Sequence, residues 1–330
     1  IDPPRVASAA RRSPRVDSDQ MPIVLISPAK TLDETPIASK SALSRVTAPR
    51  LRSRTATLLA IAAKLSSAQL RSLMSISAPL ADLNRSRYAA FETQPEKACA
   101  FAFDGPAFRA LDAPTMDEPS LDFAQRHVRC LSGLYGLLRP FDAIRPHRLE
   151  MGTKLATGGE KPKTQKKDLY EFWGDAIAEL IVEDLMEQPV EERFVVNCAS
   201  AEYFKSVRAD VLERAGIATY TCVFPGPSVH AKAARGAMAR HVAVNKITRP
   251  EGLKAFRGVA GEWSFAEETK PRTFVFKRGE GATFSGKGKS APKAAAAKKT
   301  KATAAAKKKA DDDGGDGAAT ASGGKRAKRK

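Results

Sequence analysis

The chain has 330 residues, 42% of them hydrophobic and 28% charged, which is enough for one large folded domain or two average ones. Its 55 Lys and Arg residues outnumber 37 Asp and Glu residues, giving a formal net charge of +18. This excess favours a polyanionic partner without identifying it, because Lys and Arg contact any phosphate backbone. No apolar run approaches the roughly 18 residues that a membrane-spanning helix needs, so no membrane partner is predicted.

The chain opens with residues 1–20, which contain little apolar surface and are predicted to form a disordered leader. A targeting remnant is the alternative, although three aspartates argue against it. The folded part is placed at residues 21–284.

Strand and helix patterns alternate along this folded part. Short apolar runs rich in β-branched and aromatic residues predict buried strands at residues 22–27, 193–200, 219–224 and 273–278. Helical periodicity is found at residues 50–74, 77–91, 105–110, 122–138, 168–186 and 230–245, with Asp168 as an N-cap. The mixture predicts a single large α/β (mixed α+β) domain with a mixed sheet and surrounding helices.

The last segment, residues 285–330, holds 14 Lys and Arg against 4 Asp and Glu. Its Lys/Ala/Gly-rich sequence predicts a disordered basic tail that adds non-specific affinity for nucleic acid or acts only as a solubilising tail. Its KRAKRK end would serve as a nuclear address in a eukaryote; otherwise a cytoplasmic location is predicted.

The cysteines and histidines do not have the spacing of a metal site. The four cysteines are far apart and lack a CxxC pair, so we expect reduced, buried thiols and no disulfide framework. No metal ligand set and no cofactor are predicted. The cysteines are Cys99, Cys130, Cys198 and Cys222.

Polar residues follow two predicted strands where each strand ends. The carboxyl ends of neighbouring strands meet at one edge of a sheet, where ligands gather. The pattern predicts a pocket for a small phosphorylated or nucleobase-containing substrate; the alternative is that Ser200 only caps a helix and Lys205 faces solvent. The candidate residues are Ser27, Lys30, Asp33, Asn197, Ser200, Glu202, Tyr203 and Lys205.

Established catalytic motifs are missing from these turns. The sequence has no G-x-S-x-G elbow, no phosphate-binding P-loop and no G-x-G-x-x-G fingerprint. No catalytic residue is assigned, and the sequence favours a protein that is not an enzyme.

The segment LSGLYGLLRPFDAIRPHRLEMG, residues 131–152, combines glycine turns with three arginines. One interpretation is a hairpin in which Gly133 and Gly136 expose main-chain amides to phosphate. The other is close packing at the glycines, with Asp142 and Glu150 paired to the arginines. The residues alone leave both open. The arginines are Arg139, Arg145 and Arg148.

A third basic element is the predicted helix at residues 230–245, with Lys232 and Arg235 on one face. A solvated helix face explains these cations as well as a contact with phosphate does.

Taken together in their order, seven blocks resemble the bacterial peroxide stress protein YaaA family. The resemblance covers residues 21–278 and neither end. The blocks are ISPAKTLD (26–33), FDGPAFRAL (103–111), LSGLYGLLRPFDAIRPHRLEMG (131–152), DLYEFWGD (168–175), VVNCASAEYFKSV (195–207), ARGAMAR (234–240) and FVFKR (274–278).

The resemblance implies a single-domain mixed α/β fold, a helix-hairpin-helix-like element at residues 131–138 and a positively charged cleft that binds DNA. It also implies protection during hydrogen peroxide stress by limiting free iron, with no established reaction. The chain departs from the family where His147 replaces the usual Tyr, where Phe108 replaces a frequent Tyr and where Cys198 replaces a common Leu.

Two hypotheses follow. The first is a DNA-binding stress protein that contacts backbone and shape rather than sequence, with an indirect effect on iron and no stable protein partner. Its DNA contacts are predicted at Lys30, Gly133, Gly136, Arg139, Arg145, Arg148, Lys205, Lys232 and Arg235. The second is an enzyme that acts at the strand-end pocket described above.

Overall fold

The computed structural model describes residues 22–37, 43–158, 165–186 and 192–279. The predicted leader and the predicted tail lie outside these ranges.

The strands and helices of the described residues alternate along the chain. The strands are β1 (Ile23–Ile26), β2 (Thr31–Leu32), β3 (Lys97–Ala98), β4 (Phe103–Asp104), β5 (Val128–Ser132), β6 (Gly136–Leu138), β7 (Ala143–Ile144), β8 (Phe194–Asn197), β9 (Ala218–Val223), β10 (Trp263–Lys270) and β11 (Thr273–Arg278). The helices are α1 (Arg52–Ala62), α2 (Ser67–Met74), α3 (Ala78–Ala89), α4 (Cys99–Ala102), α5 (Pro106–Leu111), α6 (Glu118–His127), α7 (Leu169–Trp173), α8 (Ala176–Leu185), α9 (Ala201–Phe204), α10 (Ala209–Arg214) and α11 (Ser228–Val244).

A seven-stranded sheet forms the centre of the domain, in the order β10-β11-β9-β8-β1-β5-β6. Its five inner strands run parallel, and β10 and β6 are antiparallel edges. Strands β1 and β8 are buried along their whole length, as expected of parallel strands covered on both faces. Their pairing places Leu25 opposite Asn197, so both strands end at the same edge of the sheet.

Two further contacts shape the chain around this edge. Strand β2 pairs with β4, with Thr31 opposite Asp104, and this brings the start of α5 beside the turn that follows β1. Helix α11 packs against α5 and also contacts β1. The fold is the mixed α/β domain that the sequence predicts.

Two predicted helices are divided in the structure. Residues 168–186 form α7 and α8, separated at Gly174, whose φ of +51° ends the first helix. Residues 50–74 form α1 and α2, and α2 begins at a capping box in which Ser66 and Gln69 exchange hydrogen bonds. The N-cap predicted at Asp168 is confirmed, because its carboxylate accepts a hydrogen bond from Glu171 N at 3.0 Å.

The prediction for residues 122–138 is wrong beyond His127. Helix α6 ends there, and residues 128–138 form the antiparallel hairpin β5–β6, with Ser132 opposite Gly136. The Ser132 hydroxyl accepts the Tyr135 amide within the turn at 3.1 Å. The segment expected to be helix-hairpin-helix-like is therefore a strand-turn-strand unit, buried on both faces.

Candidate functional site

A pocket of about 470 Å³ opens where β1, β5 and β8 end. Ser27 follows β1, Ser132 ends β5 and Cys198 follows β8, and all three line it. The position agrees with the rule that ligands bind beyond the carboxyl ends of parallel strands. The walls come from α5, α9, α11 and the segment 147–150.

Two serines form the hydrogen-bonded base of this pocket. The Ser200 amide donates to Ser27 Oγ at 2.9 Å, and the two hydroxyl oxygens are 3.3 Å apart. Ser200 Oγ also accepts the Tyr203 amide at 3.5 Å and caps α9. Ser200 is thus both a helix cap and a pocket residue, so the two interpretations of the sequence are compatible.

One wall of the pocket carries carboxylates. Glu150 Oε1 lies 3.1 Å from Lys30 Nζ and 2.8 Å from an Arg148 guanidinium nitrogen. Glu202 Oε1 accepts the Gly152 amide at 3.0 Å. Burial, together with the charges of Glu202 and Glu150, raises the pKa of Tyr203, which stays a neutral phenol.

Cations of α11 form another wall. Lys232 and Arg235 are one helical turn apart, and both line the pocket. Within the described residues, neither has a carboxylate within 4 Å, and the Arg235 guanidinium donates no hydrogen bond. Arg235 is half-buried and burial lowers its pKa, although a guanidinium stays charged at neutral pH. A half-buried guanidinium without a carboxylate is suited to bind an anion.

His147 adds a neutral group to the pocket lining. Its Nδ1 lies 2.8 Å from the Arg145 carbonyl oxygen, and the Tyr135 ring meets it edge-on at 5.2 Å. Burial lowers the pKa of His147 to about 4, so the imidazole is uncharged at neutral pH and its Nδ1 is the donor to that carbonyl.

Many of the predicted site residues converge on this pocket, and others do not. Three candidate residues of the predicted strand-end pocket do not line the observed pocket. Asp33 accepts Thr35 and pairs with Lys97, Asn197 Oδ1 accepts the Ala199 amide, and Lys205 lies 4.4 Å from the centre of the Tyr170 ring. Those inside are Ser27, Lys30, Arg148, Ser200, Glu202, Tyr203, Lys232 and Arg235.

The paired glycines do not form the exposed cradle expected of them. Gly133 is buried, and a Cβ there would lie 2.3 Å from the Leu149 carbonyl oxygen. Gly136 has a φ of +72°, and its Cβ would meet Trp173 at 2.8 Å. Both glycines serve close packing, which was the alternative interpretation of the segment.

The arginines that follow these glycines are paired with carboxylates. Arg139 contacts buried Asp142 at 3.0 Å. Arg145 contacts Glu92 and Glu96 at 3.1 and 3.2 Å. DNA binding by this segment stays a prediction. The buried glycines do not support it, and Arg139 and Arg145 are already paired with carboxylates.

Other pocket residues were not selected from the sequence. Arg109 forms a bidentate salt bridge with Asp104, with distances of 2.6 and 2.8 Å, and it lines the same pocket as Lys30. His147 and Ser132 were not selected either. The block FDGPAFRAL already contains Arg109, but only the long-range β2–β4 pairing shows that it reaches the turn after β1.

Two absences concern the described part of the chain. No group of three or more His, Cys, Asp or Glu residues there could hold a metal ion. The helices of that part are all too short or too polar to cross a membrane.

Comparisons with known proteins agree on one family. A family model described as "Peroxide stress protein YaaA" matches residues 22–269. A protein of Paraburkholderia phytofirmans named UPF0246 is 43% identical over 267 residues, covering 78% of this chain and 98% of its own length. A UPF0246 protein of Rhizorhabdus wittichii is 44% identical over 243 residues, covering 71% and 90%. A third, from Burkholderia multivorans, is 42% identical over 266 residues, covering 78% and 98%.

Proposed function

Because the chain belongs to the peroxide stress protein YaaA family, we propose that it protects against hydrogen peroxide damage through the pocket beyond β1, β5 and β8. The pocket binds a small phosphorylated molecule. The observation that carries this proposal is Arg235, which lines the pocket half-buried and has no carboxylate partner among the described residues.

The remaining geometry supports a small ligand. The volume of about 470 Å³ falls within the roughly 300–1,000 Å³ that is usual for small-molecule sites. Lys232 lies one turn from Arg235, so two cations face one anion. The buried glycines at 133 and 136 remove the main-chain surface that would have favoured a long nucleic acid at the hairpin.

DNA binding is the second candidate function. It is supported by the net charge of +18 and by Lys205 and Lys232, which are exposed and have no carboxylate within 4 Å in the described ranges. Phosphates contacted by such cations release counterions, so this binding would weaken steeply with salt. An effect on free iron would be indirect in either case, since no cluster of metal ligands is found in the described residues.

Titration calorimetry of the full chain with ribose 5-phosphate tests the first function. Arg235→Gln should weaken binding about 10-fold or more, because a charged hydrogen bond is lost. Arg214→Gln is the matched control: Arg214 is exposed, pairs with Asp210 and lies outside the pocket lining. The proposal is refuted if both variants bind ribose 5-phosphate equally, or if the wild-type protein binds neither ribose 5-phosphate nor glucosamine 6-phosphate.

Fluorescence anisotropy with a short DNA duplex at 50–200 mM salt tests the second function. If DNA covers the pocket, Lys232→Gln should lower the affinity and reduce the salt slope by about one. Removal of residues 285–330 separates the contribution of the tail. If affinity disappears with the tail and Lys232→Gln has no effect, the domain does not bind DNA.

A further inference from the structure

We infer that the ligand of this pocket is bipolar, with a phosphate held by Arg235 and Lys232 and an N–H donor group held by Glu202. This inference rests on the proposed function and specifies its ligand. Its basis is the presence, in one pocket, of a guanidinium and a carboxylate oxygen that both have no side-chain partner among the described residues.

Of the two carboxylates on this wall, Glu202 is the one that has no cation within 4 Å among the described residues. Glu150 Oε1 already contacts Lys30 and Arg148. Glu202 uses only Oε1, which accepts the Gly152 amide at 3.0 Å, and Oε2 accepts no hydrogen bond from a described residue. Glu202 is therefore held in place by one oxygen while the other is available.

The position of Glu202 depends on a glycine opposite it. A Cβ at position 152 would lie 3.1 Å from Glu202 Oε1, closer than most side-chain contacts. The absence of that Cβ allows the Gly152 amide to reach the carboxylate. Tyr170 fixes the same turn of chain, because its hydroxyl donates to the Glu202 carbonyl oxygen at 3.0 Å. The carboxylate is thus oriented by its neighbours before any ligand enters.

The two walls select against a ligand that is only anionic. A phosphate compound with no donor group would bind Arg235 and Lys232 but would bring a second negative group into the pocket of the Glu202 carboxylate without a hydrogen bond to it. Like charges in one pocket disfavour the complex, so a ligand with an N–H group at that end is preferred. Phosphorylated amines and nucleotides with an exocyclic amine have this chemistry, and long polyphosphates do not.

Two pairs of ligands that differ in one amino group test the inference on the full chain. Glucosamine 6-phosphate is compared with glucose 6-phosphate, and AMP with purine riboside 5′-monophosphate, which has neither the exocyclic amine nor a ring N–H, by titration calorimetry. In at least one pair the amino member should bind about 10-fold more tightly, which is the expected effect of a hydrogen bond to a charged acceptor. Glu202→Gln should remove this preference while retaining an acceptor for the Gly152 amide.

The two variants separate the two proposals. Arg235→Gln should weaken all four ligands, and Glu202→Gln should weaken only the amino members. Glu213→Gln, on α10 and outside the pocket lining, should change neither. Equal binding within both pairs, or a preference that survives Glu202→Gln, overturns the bipolar ligand but leaves the phosphate site. If none of the four binds, the proposed function itself fails.

Discussion

The Cα of Gly236 on α11 faces the backbone carbonyl of Ala107 on α5, and a Cβ at position 236 would lie 1.8 Å from that oxygen. No side chain other than hydrogen fits. This contact sets the spacing between the helix that carries Arg109 and the helix that carries Lys232 and Arg235. This close contact between α5 and α11 therefore also fixes the cationic side of the pocket.

We predict that Gly236→Ala destabilises the protein even though alanine is the better helix former. The added methyl group meets backbone rather than a flexible side chain, so the helices must separate. The expected loss is at least about 1–3 kcal/mol of unfolding free energy, measured by urea denaturation. Gly279→Ala is the control, since its Cβ would find its nearest neighbour, the Glu262 carbonyl oxygen, at an ordinary 3.8 Å. Equal stability of the two variants would contradict the prediction.

Asp184 on α8 neutralises two guanidinium groups, one of which belongs to β5. Its carboxylate contacts Arg50 at 2.7 and 2.8 Å and the buried Arg129 at 2.9 Å. Asp184→Asn would leave a buried positive charge uncompensated, and we expect a loss of about 3–5 kcal/mol in urea denaturation. Asp210→Asn, which breaks solvent-exposed pairs with Arg208 and Arg214, should have little effect. A small loss in both variants would show that Arg129 finds another partner.

The buried imidazole of His147 should make stability depend on pH. Its pKa is about 4 in the folded protein and about 6.5 in an unfolded chain. Between these values the unfolded chain binds a proton that the folded protein does not. The contribution is fully present above pH 6.5 and is lost as the pH falls towards 4, with a magnitude on the order of 2–3 kcal/mol.

Urea denaturation of the wild-type protein and of His147→Phe between pH 4.5 and 7.5 measures this contribution to the free energy of unfolding. The variant loses the hydrogen bond to Arg145 at every pH, so that cost shifts the whole curve without bending it. Contributions of carboxylates and of His241 are common to both proteins. We expect the variant to lose less stability on acidification. Parallel curves would show that His147 is protonated in the fold.

The cysteines should be unreactive in the native protein. All four are buried. Burial raises the pKa of Cys99, and a hydrogen bond with Cys198, together with burial, raises that of Cys222. Iodoacetamide at pH 8 should label the native chain far more slowly than the unfolded chain, where all four thiols react, as measured by mass spectrometry. Rapid labelling of Cys99 or Cys222 in the native protein would contradict this prediction, because it requires an accessible thiolate.

The elements that were predicted correctly have local sequence patterns that do not depend on distant residues. The strand predicted at residues 273–278 matches β11, and the Asp168 cap is visible from its own helix. The apolar run from Val128 to Leu138 is different. It is buried on all sides, so periodicity cannot distinguish strand from helix, and its pairing with β1 decides the outcome.

The same difference between local patterns and long-range pairing applies to the candidate site. Ser27, Lys30, Ser200 and Glu202 were found because they follow strands directly. Arg109 and His147 reach the pocket only through the β2–β4 and β3–β7 pairings, which join segments far apart in the chain. Local patterns also could not show that Gly133 faces Leu149, because that contact is made by the folded hairpin.

The pocket lining extends from Ser27 to Arg235, so the site spans most of the described sequence. The pocket is therefore incomplete until α11 has been synthesised, because α11 carries Lys232 and Arg235. A ligand that binds only the finished protein adds to its stability by mass action, as RT ln(1 + [L]/Kd). The free concentration of the proposed ligand would therefore set how much free energy of unfolding binding adds to the domain.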